Sequence, residues 1–372
     1  MKLLFMASAG LIFFAYAGYP ACLYFWARFW PRPIRRVSIF PHVTIVMAVH
    51  NEEKNLPRKL LNLAALHYPA ELLEVIIVSD GSTDQTNQIL SAWQNSGRHA
   101  VILAENQGKA NALNHGVAKA HAEIICFTDA RQCIAPEALN NLIANFADPT
   151  VGCASGALVM SDKQAAPSTS GVALYWQLEK WIRNWEGLVG STVGATGALY
   201  AVRKSLLLPL PVGTILDDVY IPLQVARQGR RVVFDSQAVA WDDFTPRPKQ
   251  EFGRKVRTLA GNYQLLQIAP WLLTRSNPLR VQFVCHKLLR LLVPFALVGV
   301  LVSALWFRTG VYGLALGFQA AFYALAILTI VRPKIGSISW LSNVALAFVL
   351  LNAAAFVAFI YFITGRKAIW AR

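Results

Sequence analysis

The chain has 372 residues, of which 55% are hydrophobic and only 15% charged, with a mean hydropathy of +0.40. That composition excludes an ordinary water-soluble globule and points to a protein partly embedded in membrane. The net charge is +15, from 35 Lys and Arg against 20 Asp and Glu. The basic residues crowd the ends of apolar runs instead of forming a separate stripe, which favours membrane lipids over nucleic acid as partner.

The first element, Leu3–Trp26, carries no charged residue. It is too long for a signal peptide and lacks a small-residue cleavage site, so a retained anchor is expected. Arg28, Arg32, Arg35 and Arg36 follow it, giving an anchor and basic flank over residues 1–36. Three more charge-free runs come late: Leu291–Phe307, Val311–Val331 and Leu341–Thr364. Each can cross a hydrocarbon core of about 30 Å as a helix, the first near the short limit. Arg275, Arg280, Lys287 and Arg290 precede them, which puts the central block in the cytoplasm, at the inner membrane. Four crossings would then place the tail residues Arg366, Lys367 and Arg372 on the far side. Either the tail departs from the positive-inside tendency or one run does not cross. The five cysteines show no CxxC spacing and read as free thiols.

Between residues 43 and 267, β-branched runs alternate with helical ones. Val43–Val49 reads as a strand, followed by a helix over Asn51–Leu66 with Pro57 in its first turn. Leu73–Asp80 is a second strand, and Ser82 or Thr83 can cap a helix over Asp84–Trp93. Ala100–Glu105 and Ala122–Asp129 are further strands, separated by a helix over Ala110–Ala120. Trp176–Trp185 is an aromatic-rich amphipathic helix, suited either to core packing or to acceptor binding. A helix is expected over Val219–Gln228, a loop over Pro246–Lys249, and an apolar helix along the membrane surface over Gln264–Leu273. Repeated β-α units of this kind predict an α/β domain, a mainly parallel sheet with helices on both faces. Ligands of such sheets sit beyond the carboxyl ends of the strands, where His50, Asn51, Glu52, Asp80 and Asp129 fall.

Four clusters carry chemistry: SDGSTD (Ser79–Asp84), FTDAR (Phe127–Arg131), LDDVY (Leu216–Tyr220) and RKVRTLAGN (Arg254–Asn262). Together they suit a nucleoside diphosphate that must be neutralised and an acceptor hydroxyl that must lose a proton. In Asp217–Asp218, like-charge repulsion raises one carboxyl, which suits a base. The plainer alternative is a helix N-cap.

With VHNEEKNL, NQGKANALNHG and GATGALYAVRK, these clusters resemble, in order, the family 2 glycosyltransferases, particularly the membrane-bound bacterial branch that makes cellulose, hyaluronan and poly-N-acetylglucosamine. The resemblance implies a GT-A nucleotide-sugar domain over residues 43–267, set between the anchor and three transmembrane helices over residues 281–372. It also implies a nucleotide diphosphate sugar donor and a lipid-linked or saccharide acceptor. By resemblance Glu52 and Asp80 contact the base or ribose, Lys109 lines the nucleotide side, Asp129 faces diphosphate and metal, and Asp218 is the base. Gly197, Trp181 and Arg254 fall on the acceptor side. A divalent metal, Mg or Mn, is implied, with Asp129 as its ligand, and Arg131 and Arg257 are expected on the donor side, sharing neutralisation of the diphosphate with it.

Two departures stand out. The second acid of the usual DxD motif is Arg131, which can lie against the diphosphate or point away. The QxxRW signature of processive synthases keeps Arg257, but Arg254 and Thr258 replace its Gln and Trp. This favours one or few sugars per encounter over threading of a long polymer. The alternatives are a processive polysaccharide synthase and a catalytically silent nucleotide-binding membrane protein.

Overall fold

The structure is a computed structural model and describes residues 1–160, 171–242, 248–331 and 339–365. Its centre is an eight-stranded sheet in the order β3-β2-β1-β4-β7-β6-β8-β5. The strands are β1 (Val43–Val49), β2 (Leu73–Asp80), β3 (Arg98–Leu103), β4 (Ile124–Phe127), β5 (Cys133–Ile134), β6 (Val151–Met160), β7 (Tyr200–Arg203) and β8 (Arg231–Asp242). β3, β2, β1 and β4 run parallel, and β7 enters antiparallel between β4 and β6. The sheet is therefore mixed, with its parallel half as expected from the apolar runs.

Both faces are covered. Helices α3 (Leu56–Ala64), α4 (Thr86–Trp93) and α6 (Ala138–Ala144) lie on one, where Leu56, Leu63, Leu90 and Leu139 meet Ile45 and Met47. Helices α5 (Lys109–Lys119) and α8 (Asp217–Arg227) lie on the other, where Leu113 and Leu223 meet Val46, Ile76 and Val78. The alternation of β1 explains this split, since successive side chains point to opposite faces. Chain order reverses at β1, with β2 on one side and β4 on the other. The crevice beyond their carboxyl ends is thus the switch point at which such sheets bind ligands.

Several boundaries differ from expectation. The helix expected over Asn51–Leu66 is confined to α3, because residues 51–55 are stitched to the loop after β2. Asn51, at φ 54°, donates its N–H to Ser82 Oγ and accepts from the Thr83 N–H. Ser82 and Thr83 therefore do not cap α4; Asp84 Oδ1 accepts the Thr86 N–H instead. The expected surface helix over Gln264–Leu273 belongs to a longer helix, α9 (Pro248–Ile268), and a following 3-10 turn (Pro270–Leu273). Its residues Leu265, Ala269 and Leu272 are buried in the core that packs against the sheet. Residues 246–247 of the expected loop lie outside the described residues, and Pro248 already begins α9.

Among the described residues, four helices are long and apolar enough to cross a membrane: Lys2–Phe29, Arg280–Phe307, Gly310–Val331 and Trp340–Ile363. The first comprises α1 (Lys2–Phe13), a π-turn (Phe14–Gly18) and α2 (Tyr19–Phe29). The second comprises α10 (Arg280–Phe283), a π-turn (Val284–Leu288) and α11 (Leu289–Phe307). Helices α12 (Gly310–Val331) and α13 (Ser339–Ile363) complete the set. Ser8 of α1 packs where Gly299 of α11 lacks a side chain, the close approach small residues allow between spanning helices. Helix α9 docks on α13 through Val256, Ala260 and Tyr263 against Ala354 and Ala358. The basic tail from residue 366 lies outside the described residues.

Candidate active site

Three loops close the crevice. The turn after β2 uses Gly81 at φ +61°, where a Cβ would stand 2.3 Å from the Asn106 nitrogen. That close approach lets Asp80, buried at the strand end, accept the N–H groups of Gln107 and Gly108, both at 2.8 Å. Asp80 thereby fixes the start of α5, whose first residue is Lys109. Glu52 accepts from the Asn55 side-chain amide at 2.7 Å, and its own N–H binds Thr86 Oγ1.

The third loop follows β4, which ends at Phe127, so that Asp129 projects just beyond the strand. The loop is held from beneath by Lys59, 1% exposed, whose Nζ donates to Thr128 Oγ1 and the Gln132 carbonyl at 2.9 and 2.8 Å. Burial pushes the Lys59 ammonium down to about 8, with Asp129 opposing the shift. Nothing in PRKLL marked this lysine as buried, and sequence reasoning missed it.

Lys109 gathers the carboxylates. Its Nζ lies 3.0 Å from Asp129 Oδ1 and 3.3 Å from Asp217 Oδ1. Burial by itself would lower the ammonium, but Asp129, Asp217 and Asp218 outweigh it and hold it raised and protonated. Asp217 is buried and accepts from the Tyr200 hydroxyl at 3.3 Å, a partner the sequence did not suggest. Asp218 is only partly buried; its Oδ2 accepts the Gly197 N–H at 3.1 Å and its carbonyl the Ala195 N–H at 2.7 Å. Burial and the adjacent Asp217 raise its carboxyl to about 6, against the pull of Lys109 and Arg183. Both acids start α8, yet neither caps it by a side-chain hydrogen bond. The capping alternative thus does not account for the pair.

The other expected residues divide. Gly197 is at the centre, since a Cβ there would meet Asp129, Asp218 and Lys109. Arg131 turns toward β8, where its Nε and Nη2 donate to Asp242 Oδ2 at 3.2 and 2.8 Å. Of its two expected orientations, this is the one engaged elsewhere. Trp181 is 47% exposed on α7 (Gly171–Val189) and stacks on Trp185. Arg254 pairs with Glu251 on α9, and Arg257 is half-buried one turn further on. Across the two helices, Lys255 lies 4.9 Å over the Trp176 ring, making a mixed basic and aromatic surface.

The donor set fits a hard divalent cation held by one carboxylate. Asp129 is partly exposed, and its Oδ2 faces the open space at Gly197. Among the described residues no three His, Cys, Asp or Glu side chains are grouped to hold a metal. One carboxylate plus substrate phosphate oxygens is a common arrangement for Mg²⁺.

Residues 44–207 match the family model described as glycosyl transferase family 2. The chain is 27% identical over 215 residues to the poly-beta-1,6-N-acetyl-D-glucosamine synthase of Staphylococcus aureus (strain COL), covering 56% of this chain and 52% of that protein. It is 23% identical over 244 residues to the probable glycosyltransferase YdaM of Bacillus subtilis (strain 168), covering 62% and 58%. The chain thus spans just over half the length of the curated relatives it matches. Among solved structures, the mannosyltransferase PcManGT from Pyrobaculum calidifontis, in complex with GDP-Man and Mn2+, superposes with a TM-score of 0.73 at 22% identity, over 98% of this chain and 99% of that one. The fold is therefore the GT-A type with flanking membrane helices. With the carboxylates and Lys109 gathered at its switch point, the part of the chain over residues 44–207 is similar to a family 2 glycosyl transferase domain.

Proposed function

We propose that the enzyme moves a sugar from a nucleotide diphosphate sugar to a membrane-associated lipid or saccharide acceptor, with inversion, in cell-surface polysaccharide or glycolipid synthesis. The observation that carries this reading is Asp218, a carboxyl raised to about 6 and held by Gly197 beside Asp129 and Lys109. At neutral pH it is ionised yet basic enough to take a proton. As the acceptor oxygen bonds to the anomeric carbon, Asp218 takes the hydroxyl proton and the sugar–phosphate bond breaks, its electron pair leaving with the nucleoside diphosphate. One displacement inverts the carbon.

Lys109 supplies positive charge on the donor side, with Glu52 and Asp80 on the nucleotide side. Asp129 would hold a divalent metal, which when bound neutralises the diphosphate. GDP-Man and Mn2+ in the Pyrobaculum mannosyltransferase support both the donor class and the metal. The basic and aromatic surface of α7 and α9, with Trp181 and Arg254, suits an acceptor at the membrane, while Arg257 adds positive charge for the diphosphate. The basic flanks support a cytoplasmic catalytic domain.

The match to a poly-N-acetylglucosamine synthase favours the second reading, processive polymer synthesis. Arg254 and Thr258 at the QxxRW positions weigh against it. The test is full-length protein in nanodiscs with a panel of nucleotide sugars, reading nucleoside diphosphate release with and without membrane extract. Release that requires extract and gives short products supports the first reading. Long polymer without extract supports the second, and no release from any donor overturns both.

A further inference from the structure

Away from the carboxylates of the site, Glu186 of α7 is fully buried and has four donors around it. The Tyr19 hydroxyl of α2 and His286 Nδ1 face Oε1 at 2.7 and 2.9 Å. The Thr192 hydroxyl and the Val193 N–H face Oε2 at 3.1 and 3.3 Å. Burial alone would raise this carboxyl, but His286 and the donated hydrogen bonds hold it below the usual range. The other ring nitrogen of His286 faces Glu179 Oε1 at 2.9 Å, and Glu179 also meets Arg290 at 2.9 Å, and Lys287 and Arg183 at 3.4 Å. Since a carboxylate only accepts, each ring nitrogen facing one donates.

A second observation concerns the two spanning helices that reach Glu186. Each widens into a π-turn at the contact: Phe14–Gly18 directly precedes Tyr19, and Val284–Leu288 contains His286. Such turns insert a residue, re-aim the side chains that follow, and are frequent at functional sites. From Thr192 and Val193 the chain runs directly to Ala195 and Gly197, whose N–H groups bind the Asp218 carbonyl and carboxylate.

We propose that Glu186 and His286 are positioning residues that key the segment Thr192–Gly197, and through it Asp218, to the two spanning helices. Simple packing of α7 on a membrane helix would need no buried acid, and breaking such a pair is costly. This particular network instead fixes one orientation of the segment that presents Gly197. The inference rests on the proposed role of Asp218.

Full-length Glu186→Gln and His286→Gln in nanodiscs test it with two readouts. Amide hydrogen exchange over residues 192–197 is expected to rise at least about tenfold, while β1 and β2 keep wild-type protection. Turnover is expected to fall about 10- to 100-fold, as a small misplacement of a reacting group does. The donor KM and the affinities for UDP and GDP, titrated separately, stay within about twofold, and Glu186→Asp recovers part of the loss. Unchanged exchange at 192–197, unchanged turnover, or exchange raised equally throughout the domain would overturn it. Tyr19→Phe, which deletes one donor and leaves the charges paired, serves if the glutamine variants do not fold. It is expected to give a smaller change of the same pattern, and wild-type behaviour in both readouts overturns the proposal. A wild-type chain inactive on every donor removes the proposed function and leaves the exchange comparison to decide the coupling alone.

Discussion

Gly197 donates its backbone N–H to Asp218 Oδ2 at 3.1 Å, and the missing side chain of the same glycine leaves the space in which Asp129, Asp218 and Lys109 converge. The segment carrying Gly197 and the proposed base, Asp218, are thus fixed to each other by one peptide unit. The glycine is there for room, since an added Cβ would touch Asp129 Oδ2 at 3.4 Å, Asp218 Oδ2 at 3.5 Å and Lys109 Nζ at 3.9 Å.

Gly197→Ala therefore tests the site without testing the fold. Those distances are ordinary van der Waals contacts, so stability should change by less than about 1 kcal/mol. The methyl group occupies space facing the charged groups, and turnover should fall at least about tenfold. Thermal unfolding and steady-state rates on the same preparation check both halves.

Asp218→Asn should lower turnover at least about 100-fold while leaving nucleoside diphosphate affinity nearly intact, the size expected for losing a general base. With the carboxyl at about 6, wild-type turnover rises with pH through that value, because the ionised form is the base. The folded state binds this proton more tightly than the unfolded chain. Its stabilising contribution is present below the unfolded value of about 3.9 and is lost as pH rises through about 6. Asp218→Asn should accordingly melt higher than wild type at pH 7.5, with the gap closing below about pH 4. A pH series of melting curves reads it directly.

Lys109→Met removes the cation shared by Asp129 and Asp217. Lys109 pulls the Asp218 carboxyl down, so its loss should move the acid limb of turnover above pH 6. Turnover at pH 7 should fall at least about tenfold, and donor affinity should weaken as the positive charge disappears. A limb that stays near 6 would show that Lys109 does not act on the base.

The parallel half of the sheet was legible because β1, β2 and β4 are near-continuous apolar runs, and their ends placed Asp80 and Asp129 in one crevice. The antiparallel insertion of β7 was not, since Tyr200–Arg203 has no local mark of its pairing with β4 and β6. Lys59 was invisible for a related reason: its burial comes from the Thr128–Gln132 loop, distant in sequence. Local sequence left Arg131 two orientations, against the diphosphate or away from it, because its partner Asp242 ends a strand far along the chain. Local pattern gives the elements and their ends, while partners that meet only through tertiary packing stay hidden.

Asp80→Ala removes the acceptor of two backbone N–H groups, and partial access to water limits the cost to about 1–3 kcal/mol. The larger effect should be on the start of α5. Freed residues 106–108 no longer aim Lys109, so nucleoside diphosphate affinity should fall at least about tenfold in a calorimetric titration. Wild-type affinity would mean that the nucleotide lies in another crevice.

The two arginines and the metal separate in a final comparison. Arg131→Ala leaves the buried Asp242 carboxylate without its guanidinium, although the Gln132 amide at 3.0 Å remains. That should cost about 2–3 kcal/mol, less than a fully buried pair because Arg131 is one-third exposed, with turnover per folded molecule close to wild type. Arg257→Ala should do the reverse, lowering turnover more than donor affinity with little effect on melting, as expected of a half-exposed cation acting on developing charge. A metal held by Asp129 and diphosphate oxygens alone should bind weakly without donor, so titration of Mn²⁺ should show little uptake until GDP or UDP is added. Chelator should then slow turnover without abolishing it, because Lys109 and Arg257 keep part of the charge stabilisation. Asp129→Ala should be slow in the presence and absence of metal alike. Complete, metal-rescuable loss in chelator, with Arg257→Ala behaving as wild type, would assign the neutralisation to the ion alone.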